Sequence, residues 1–136
     1  KFGAVGVGLC RTEHMFFEPD RILAVRKLLL ASDNEDKLEA RKLILSYQIQ
    51  DFIYIFQSMK ELPVTIRLLD PPVHEFLPKE EHDIIDLSKN SKYSVDEIKE
   101  RIQIERESNP MLGNRGCRLG ITRIDITELQ VEAIFF

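Results

Sequence analysis

Four arginines occupy positions at which this sequence could bind an anion. Arg11 and Arg67 each follow a short apolar run, and Arg115 and Arg118 lie in a glycine-rich stretch. A guanidinium presents a rigid fork of N–H donors that matches the oxygens of a phosphate or a carboxylate. Two such forks at neighbouring strand ends could clamp one small dianion. The positions of Arg11 and Arg67 therefore predict an anion-binding site at the edge of a sheet.

These arginines also have a structural alternative. The first two could pair with the nearby acids Glu13 or Asp70 and cap the strand ends as ion pairs. Position in the sequence does not separate the two interpretations. In the glycine-rich stretch we expect a structural role for Arg118, whereas both roles stay open for Arg115.

The glycines near the start of the chain do not form a nucleotide-binding motif. Gly6 and Gly8 place Arg11, rather than a third glycine, at the last position of a G-x-G-x-x-G pattern. The lysine that ends a phosphate-binding loop does not follow either. The spacing therefore argues against a dinucleotide site.

The histidines and cysteines offer no predicted catalytic pair. His14 and His74 each lie next to an acid, where a histidine more often holds a hydrogen bond than carries a proton. Cys10 lies inside an apolar run and is expected to be buried and unreactive, and Cys117 has no predicted base beside it. We predict no nucleophile in this segment.

Acidic residues and cysteines likewise predict no metal site. Glu13, Asp70 and Glu75 could coordinate Mg²⁺, but nothing in their spacing fixes two carboxylates together. The two cysteines are far apart and have no second cysteine or histidine at ligand spacing. We therefore assign no metal ligand.

Composition restricts the class of protein and its partners. The chain has 136 residues, of which 43% are hydrophobic and 31% charged, and this suits one globular unit. Its net charge is −4 and its basic residues are scattered, which disfavours nucleic acid as a partner. No apolar run approaches the roughly 18 residues of a membrane span, and the first residues do not resemble a secretory signal. We expect a cytoplasmic protein with no membrane partner.

Strands and helices alternate along the chain. Residues 1–10 and 64–69 are apolar runs that predict two buried strands. Residues 19–31 predict a helix, and a longer helix runs from Asn34 until Pro63 stops it. One continuous apolar face is expected on the longer helix, formed by Leu38, Leu45, Ile49, Phe52, Phe56 and Met59.

Residues 73–110 are strongly charged and predict a helical insertion outside the main core. Two short helices are indicated there, one over residues 80–91 and one after Ser94. Ser94 and Glu97 have the three-residue spacing of a capping box, which supports the start of the second helix.

The end of the chain completes an α/β pattern. Residues 109–120 predict a tight loop that brings cationic groups near a ligand, and a final helix follows, with Asp125 and Glu128 as candidate caps. Alternating strands and helices predict parallel strands, with ligands beyond their carboxyl ends. Two or three strands leave sheet edges unpaired, so we expect part of a larger domain, such as a partial (β/α)8 TIM-type barrel.

Three segments around the arginines resemble consecutive motifs of the pyruvate, phosphate dikinase family of phosphoenolpyruvate (PEP)-utilising enzymes. The segments are GVGLCRTEHMFF at residues 6–17, LPVTIRLLDPPVHEFLP at residues 62–78 and NPMLGNRGCRLGIT at residues 109–122. The resemblance spans nearly the whole chain and is more specific than any short pattern.

This resemblance implies a fold and a reaction. Residues 1–136 would form part of the C-terminal PEP/pyruvate-binding barrel, roughly strands 2 to 4 with their helices, and residues 73–110 would be a helical insertion within it. The chain would be a fragment of an enzyme that interconverts ATP, phosphate and pyruvate with AMP, diphosphate and PEP through a phosphohistidine. Arg11 and Arg67 match the two substrate-binding arginines of the family, and Arg115 matches an arginine close to the same pocket.

The resemblance also implies what lies outside this segment. The family's phosphohistidine, its catalytic cysteine and its Mg²⁺ ligands match no residue here, so the chain would hold no catalytic residue and be inactive alone. The phosphohistidine domain would be a partner within a homodimeric parent enzyme, located in the cytoplasm or an organelle. Two alternatives stay open: a truncated, non-catalytic relative that acts as a binding module, and a member of the PEP synthase or phosphotransferase enzyme I groups.

Overall fold

The computed structural model describes residues 3–106, 109 and 111–136 and is mostly helical. Its elements in chain order are β1 (Val7–Arg11), a 3-10 turn (Thr12–Met15), α1 (Pro19–Leu30), α2 (Asn34–Met59), β2 (Val64–Arg67), a second 3-10 turn (Val73–Glu75), α3 (Glu81–Lys89), α4 (Val95–Ile104), α5 (Cys117–Thr122) and α6 (Ile124–Phe135). Lys1 and Phe2 of the first predicted strand and Pro110 of the predicted loop lie outside the described residues.

The two strands pair in parallel, as the alternation of strands and helices predicts. The Cα of Arg11 lies opposite that of Arg67, and Cys10 lies opposite Ile66. Parallel neighbours need a long crossover, which α1 and α2 provide between β1 and β2. The mixed α/β class is therefore confirmed, whereas the described residues contain a two-stranded sheet and do not establish a barrel.

Both strands are shorter and more exposed than the sequence predicts. β1 begins only at Val7, and Leu9 on it is exposed; β2 ends at Arg67, and Leu68 beyond it is also exposed. The prediction of two buried strands is therefore wrong for this chain. An apolar run shows what a strand would bury, but its side chains are buried only where a second layer covers them.

The longest helix buries a different face from the predicted one. Leu38 is 51% exposed, and of the predicted apolar face only Phe52 is fully buried. The buried residues follow one another at intervals of one helical turn and are Ala40, Ile44, Gln48 and Phe52. The prediction failed because it selected large apolar side chains, whereas the face that packs includes an alanine and a glutamine. Asp33 caps this helix by accepting a hydrogen bond from the Asp36 amide at 2.8 Å.

One apolar core joins α1, α2 and α6. Val25, Leu28, Ile44 and Leu129 belong to this cluster, and Phe76 beyond β2 packs into it as well. The core therefore holds the helices against the segment that follows β2.

The two short helices of the charged region also pack on this core. Ile84, Leu87 and Ile98 belong to the same buried cluster, so these helices do not lie outside it as the composition predicts. The helices themselves are confirmed, as is the capping box between Ser94 and Glu97. Charge density reports the solvated faces of α3 and α4, whereas their narrow apolar stripes decide the packing.

The glycine-rich stretch ends earlier than predicted. Cys117 already begins α5, and Gly116 before it has a φ of 57°, a conformation that suits glycine. α6 begins at Ile124 and has no side-chain cap from its N-cap residue, so the predicted capping role of Asp125 is not confirmed. Asp125 instead accepts two hydrogen bonds of 3.1 Å from Arg123.

Candidate anion-binding site

The strand ends place two of the predicted arginines side by side in the backbone. Arg11 is the last residue of β1, Arg67 is the last residue of β2, and the two are register partners. After Arg11 the chain turns out of the sheet in a 3-10 turn that begins at Thr12. The predicted location of both arginines at the carboxyl ends of parallel strands is therefore confirmed.

A single carboxylate brings two of the arginines together. Asp70 Oδ2 lies 2.6 Å from Arg115 Nη2 and 3.6 Å from Arg67 Nη1. The Asp70 carbonyl also accepts a hydrogen bond of 3.0 Å from the Gly116 amide. A Cβ added at Gly116 would lie 3.3 Å from Asp70 Oδ1, so a glycine lets the Arg115 loop approach this closely. Asp70 thus links the end of β2 to the loop before α5.

Glu13 holds Arg67 from the opposite side. Glu13 Oε1 pairs with Arg67 Nη2, and the Glu13 side chain is almost fully buried. The contact is single-pronged, because Glu13 Oε2 and Arg67 Nε are both buried with no hydrogen-bond partner among the described residues. The Arg67 side chain is still 35% exposed, so part of the guanidinium faces solvent. The ion-pair alternative therefore describes how Arg67 is held, and it does not block the approach of a ligand.

The charges of this cluster nearly balance. Arg67 and Arg115 face the carboxylates of Glu13 and Asp70, two cations against two anions. Each guanidinium carries five N–H donors, so these contacts leave donors that can bind ligand oxygens. The arrangement is suited to orienting a phosphate or carboxylate, since its donors are fixed in place before a ligand arrives.

Arg11 projects elsewhere. Its exposed side chain lines a cavity of about 560 Å³ together with Cys10 and His14. Arg21 and Asp51 form a two-pronged ion pair in the same cavity wall, and the hydrogen bond to Asp51 raises the pKa of Arg21. The structure therefore brings Arg67 and Arg115 together and leaves the Arg11 side chain in a neighbouring cavity.

A second cavity lies on the Arg67 side of the sheet. It measures about 330 Å³, and its lining includes Arg67, Asp70, Gly116, Arg123 and Gln130. Burial alone would raise the pKa of Asp125, but its hydrogen bonds to Arg123 lower that pKa below the ordinary value. Arg123 is thus held at the start of α6, at the wall of this cavity.

The remaining candidate residues agree with the sequence-based expectations only in part. Cys10 is half-buried rather than buried as predicted, and this partial burial raises the pKa of its thiol, while Cys117 is exposed on α5. Arg118 Nε donates to the Gly113 carbonyl at 3.1 Å, in agreement with a structural role. His74 Nε2 lies 3.6 Å from Glu75 Oε1.

Sequence reasoning missed two buried polar residues at this edge. Thr12 and Gln130 are almost completely buried and hydrogen-bonded to each other, although 118 positions separate them in the chain. Thr12 also donates to the carbonyl of Arg67 at 2.8 Å. No local pattern could have identified this pair, because its contact exists only after α6 packs against the strand ends.

The part of the chain that the structure describes does not fit a metal site. It contains no group of three or more histidine, cysteine, aspartate or glutamate side chains placed to hold an ion. The Mg²⁺ that the resemblance implies would need ligands other than these described residues. Among the described helices, none is long and apolar enough to cross a membrane.

Comparison with known proteins identifies the family. The family model described as PEP-utilising enzyme, PEP-binding domain matches residues 1–136, the whole chain. The chain is 53% identical over 137 aligned positions to pyruvate, phosphate dikinase 1, chloroplastic, of Arabidopsis thaliana, covering 99% of the chain and 14% of that protein. It is 56% identical over 136 positions to pyruvate, phosphate dikinase, chloroplastic, of Flaveria trinervia, with 98% and 14% covered. It is 50% identical over 134 positions to pyruvate, phosphate dikinase of Rhizobium meliloti, with 98% and 15% covered.

The chain therefore spans only 14 to 15% of the length of these relatives. The match nonetheless includes the segments that hold Arg11, Arg67 and Arg115, since it covers 98% or more of the chain. This chain belongs to the PEP-utilising enzyme family and corresponds to part of the PEP-binding domain of pyruvate, phosphate dikinases.

Proposed function

We propose that this chain supplies part of the substrate site of a pyruvate, phosphate dikinase, in which Arg11, Arg67 and Arg115 bind PEP and pyruvate. The observation that carries the proposal is the convergence of Arg67 and Arg115 on Asp70 beyond the carboxyl end of β2. Ligands of parallel α/β folds bind beyond that edge of the sheet. Similarity to enzymes named pyruvate, phosphate dikinase supports the identity of the substrate.

The chemistry of the proposed ligand suits these donors. PEP carries a phosphate and a carboxylate, and pyruvate carries a carboxylate, so each offers oxygens for a guanidinium fork. During transfer of the phosphoryl group, negative charge develops on the transferring oxygens and on the enolate oxygen of pyruvate. Donors that are already fixed by Glu13 and Asp70 stabilise this charge without reorganising.

Arg11 joins the site by a side-chain movement. Its backbone lies beside that of Arg67, but its side chain lines the neighbouring cavity. Because that side chain is exposed, it can turn toward the strand edge when an anion is bound there. In this proposal the dianion supplies the electrostatic attraction for the turn, since the charges of Arg67 and Arg115 are already balanced.

The proposal extends to the protein in which these residues act. The parallel pair β1–β2, with apolar side chains left exposed, supports neighbouring strands of a larger (β/α)8 barrel, with residues 73–110 as its helical insertion. The full reaction would use ATP, phosphate and Mg²⁺, and a phosphohistidine domain would deliver the phosphoryl group. A homodimeric enzyme in the cytoplasm or in an organelle is proposed on the same grounds of family membership.

A non-catalytic binding module is the second candidate. Large apolar side chains are exposed on the loop before α5 and on α5 itself, among them Met111, Leu112 and Ile121. Such a surface could contact a protein partner in place of further catalytic segments. This alternative predicts PEP binding without any phosphoryl exchange.

The test uses Arg67→Ala in the complete gene product. We expect the rate of exchange between pyruvate and PEP to fall, which corresponds to a loss of about 2–4 kcal/mol of transition-state stabilisation. Exchange on the nucleotide side should persist. Arg41→Ala is the matched control, because Arg41 forms an ion pair with Glu132 on the helical surface instead of at the strand ends. Both exchange reactions should survive in that control.

Three results would count against the proposal. Equal loss of both exchange reactions in Arg67→Ala would make the arginine structural. Unchanged pyruvate exchange in that variant would remove Arg67 from the site. Binding of PEP by the unmodified protein with neither exchange reaction detectable would favour the binding module.

A further inference from the structure

A chain of buried hydrogen bonds ties α6 to the ends of both strands. Gln130 Oε1 accepts from the Leu69 amide at 2.8 Å, and Gln130 Nε2 donates to Thr12 Oγ1 at 2.9 Å. The Thr12 hydroxyl then donates to the Arg67 carbonyl at 2.8 Å. We call Thr12 and Gln130, with these three hydrogen bonds, the relay. The relay binds the backbone on both sides of residue 68, at the Arg67 carbonyl and at the Leu69 amide.

The direction of every bond in the relay is fixed. The Leu69 amide can only donate, so it sets the Oε1 of Gln130 toward β2 and the Nε2 toward Thr12. Thr12 accepts from that Nε2 and is left with its single proton for the Arg67 carbonyl. The donor and acceptor roles match throughout, so the relay has one arrangement and specifies one backbone path.

Polar side chains at these positions do more than fill space. Thr12 and Gln130 are 0% and 1% exposed, and burying a hydroxyl and an amide costs free energy that their hydrogen bonds at best offset. Apolar side chains of the same shape would fill the space but would leave the Leu69 amide and the Arg67 carbonyl without these hydrogen-bond partners. The relay also fixes the position of the backbone between Arg67 and Leu69. This stretch of backbone carries the Arg67 side chain and continues to Asp70.

We infer that Thr12 and Gln130 are positioning residues for substrate binding, which act by holding the backbone of Arg67 where its guanidinium meets the anion. The inference rests on the proposed function, because it assigns the relay to the same site. Neither side chain contacts the substrate in this account. A small backbone shift at Arg67 would move its guanidinium away from both carboxylates and from the ligand.

The experiment compares variants of equal shape in the complete gene product. Thr12→Val removes the hydroxyl, whereas Thr12→Ser retains it; Gln130→Met removes the amide. Gln48→Met is the control for loss of a buried glutamine, because Gln48 is also 1% exposed but lies on α2 and contacts Met15. The measurements are the KM for PEP, the dissociation constant of PEP by calorimetry, and kcat per folded molecule.

We expect Thr12→Val and Gln130→Met to raise the KM and the dissociation constant for PEP at least tenfold. Thr12→Ser and Gln48→Met should change both by less than twofold. If Gln130→Met does not fold, Thr12→Val carries the test, since it exchanges one hydroxyl for a methyl group. A loss of folded protein with unchanged PEP affinity in the molecules that remain would overturn the inference.

Combination with Arg67→Ala separates this inference from the proposed function. If the relay acts through Arg67, adding Gln130→Met to Arg67→Ala should weaken PEP binding by less than a further threefold. If the fold-loss of PEP binding in the double variant equals the product of the losses in the two single variants, the inference is overturned and the proposed function stands. An Arg67→Ala variant with normal PEP binding and normal pyruvate exchange would refute the proposed function and the inference together.

Discussion

Asp70→Asn is the substitution that tests most directly how the two arginines are held together. The change keeps the shape of the side chain and removes its charge. The amide can still offer one oxygen to Arg115, but it no longer attracts both guanidiniums. The loop before α5 is held at Asp70 by the Arg115 ion pair and by the hydrogen bond from the Gly116 amide to the Asp70 carbonyl. Because the substitution weakens the ion pair, we expect this loop to open more often.

The size of the effect follows from the two contacts. A hydrogen bond between charged groups contributes about 1.5–3 kcal/mol when buried. Asp70 and Arg115 are each 28% exposed, so solvent reduces the loss to about 1–1.5 kcal/mol. The 3.6 Å contact with Arg67 is longer and adds about 0.2–0.5 kcal/mol. A total of about 1–2 kcal/mol corresponds to roughly five- to thirtyfold more frequent opening.

Native-state amide hydrogen exchange over residues 111–123 measures this opening in the complete gene product. Asp51→Asn is the matched control, because Asp51 forms a similarly exposed ion pair with Arg21 in the other cavity wall. Exchange over 111–123 should increase in Asp70→Asn and stay unchanged in the control. An increase smaller than twofold, or an equal increase in both variants, would refute the reasoning.

Three further predictions concern other parts of the molecule. In a Cys117→Ser background, alkylation of Cys10 should require a higher pH in the folded protein than in urea, because burial raises the pKa of the folded thiol above its ordinary value; identical pH profiles would contradict this. Ser94→Ala should raise the lowered pKa of Glu97 part of the way toward its ordinary value in a carboxyl NMR titration, because it keeps the backbone hydrogen bond from Ser94, which lowers this pKa most, and removes the one from the hydroxyl; an unmoved titration would show that the hydroxyl does not bind this carboxylate. Ile98→Ala should cost about 2–5 kcal/mol of unfolding free energy by amide exchange of α4, because Ile98 is fully buried; a cost below 1 kcal/mol would show that α4 is not held by this packing.

Sequence predicts the features of this fold that are decided locally. Sequence predicted the starts of α1 at Pro19 and of α2 at Asn34, because both helices begin with residues that are typical of helix starts. The capping box at Ser94 was equally accessible, since both of its partners lie within one helical turn. The parallel pairing of the strands followed from their alternation with helices.

Features that depend on distant contacts could not be obtained in the same way. Periodicity identified large apolar residues on α2, but the neighbour that covers each face is set by tertiary packing, which left Leu38 exposed and Gln48 buried. The density of glycine and arginine hid α5, because a helix of six residues leaves little periodic signal. The sequence correctly predicted Arg11 and Arg67 at the strand ends, but the contact of Asp70 with both Arg67 and Arg115 forms only in the folded chain.

The pairing of β1 with β2 also sets an order in which the chain can fold. All of α1 and α2 lies between the strands, so bringing them together carries the entropic cost of closing a long loop. α1 and α2 are adjacent in sequence and pack on each other, so they can form first and shorten that search. We expect the strand ends to assemble after the folding transition state. Substitutions between α1 and α2 should then slow refolding, whereas those at Thr12 or Gln130 should mainly accelerate unfolding in stopped-flow experiments.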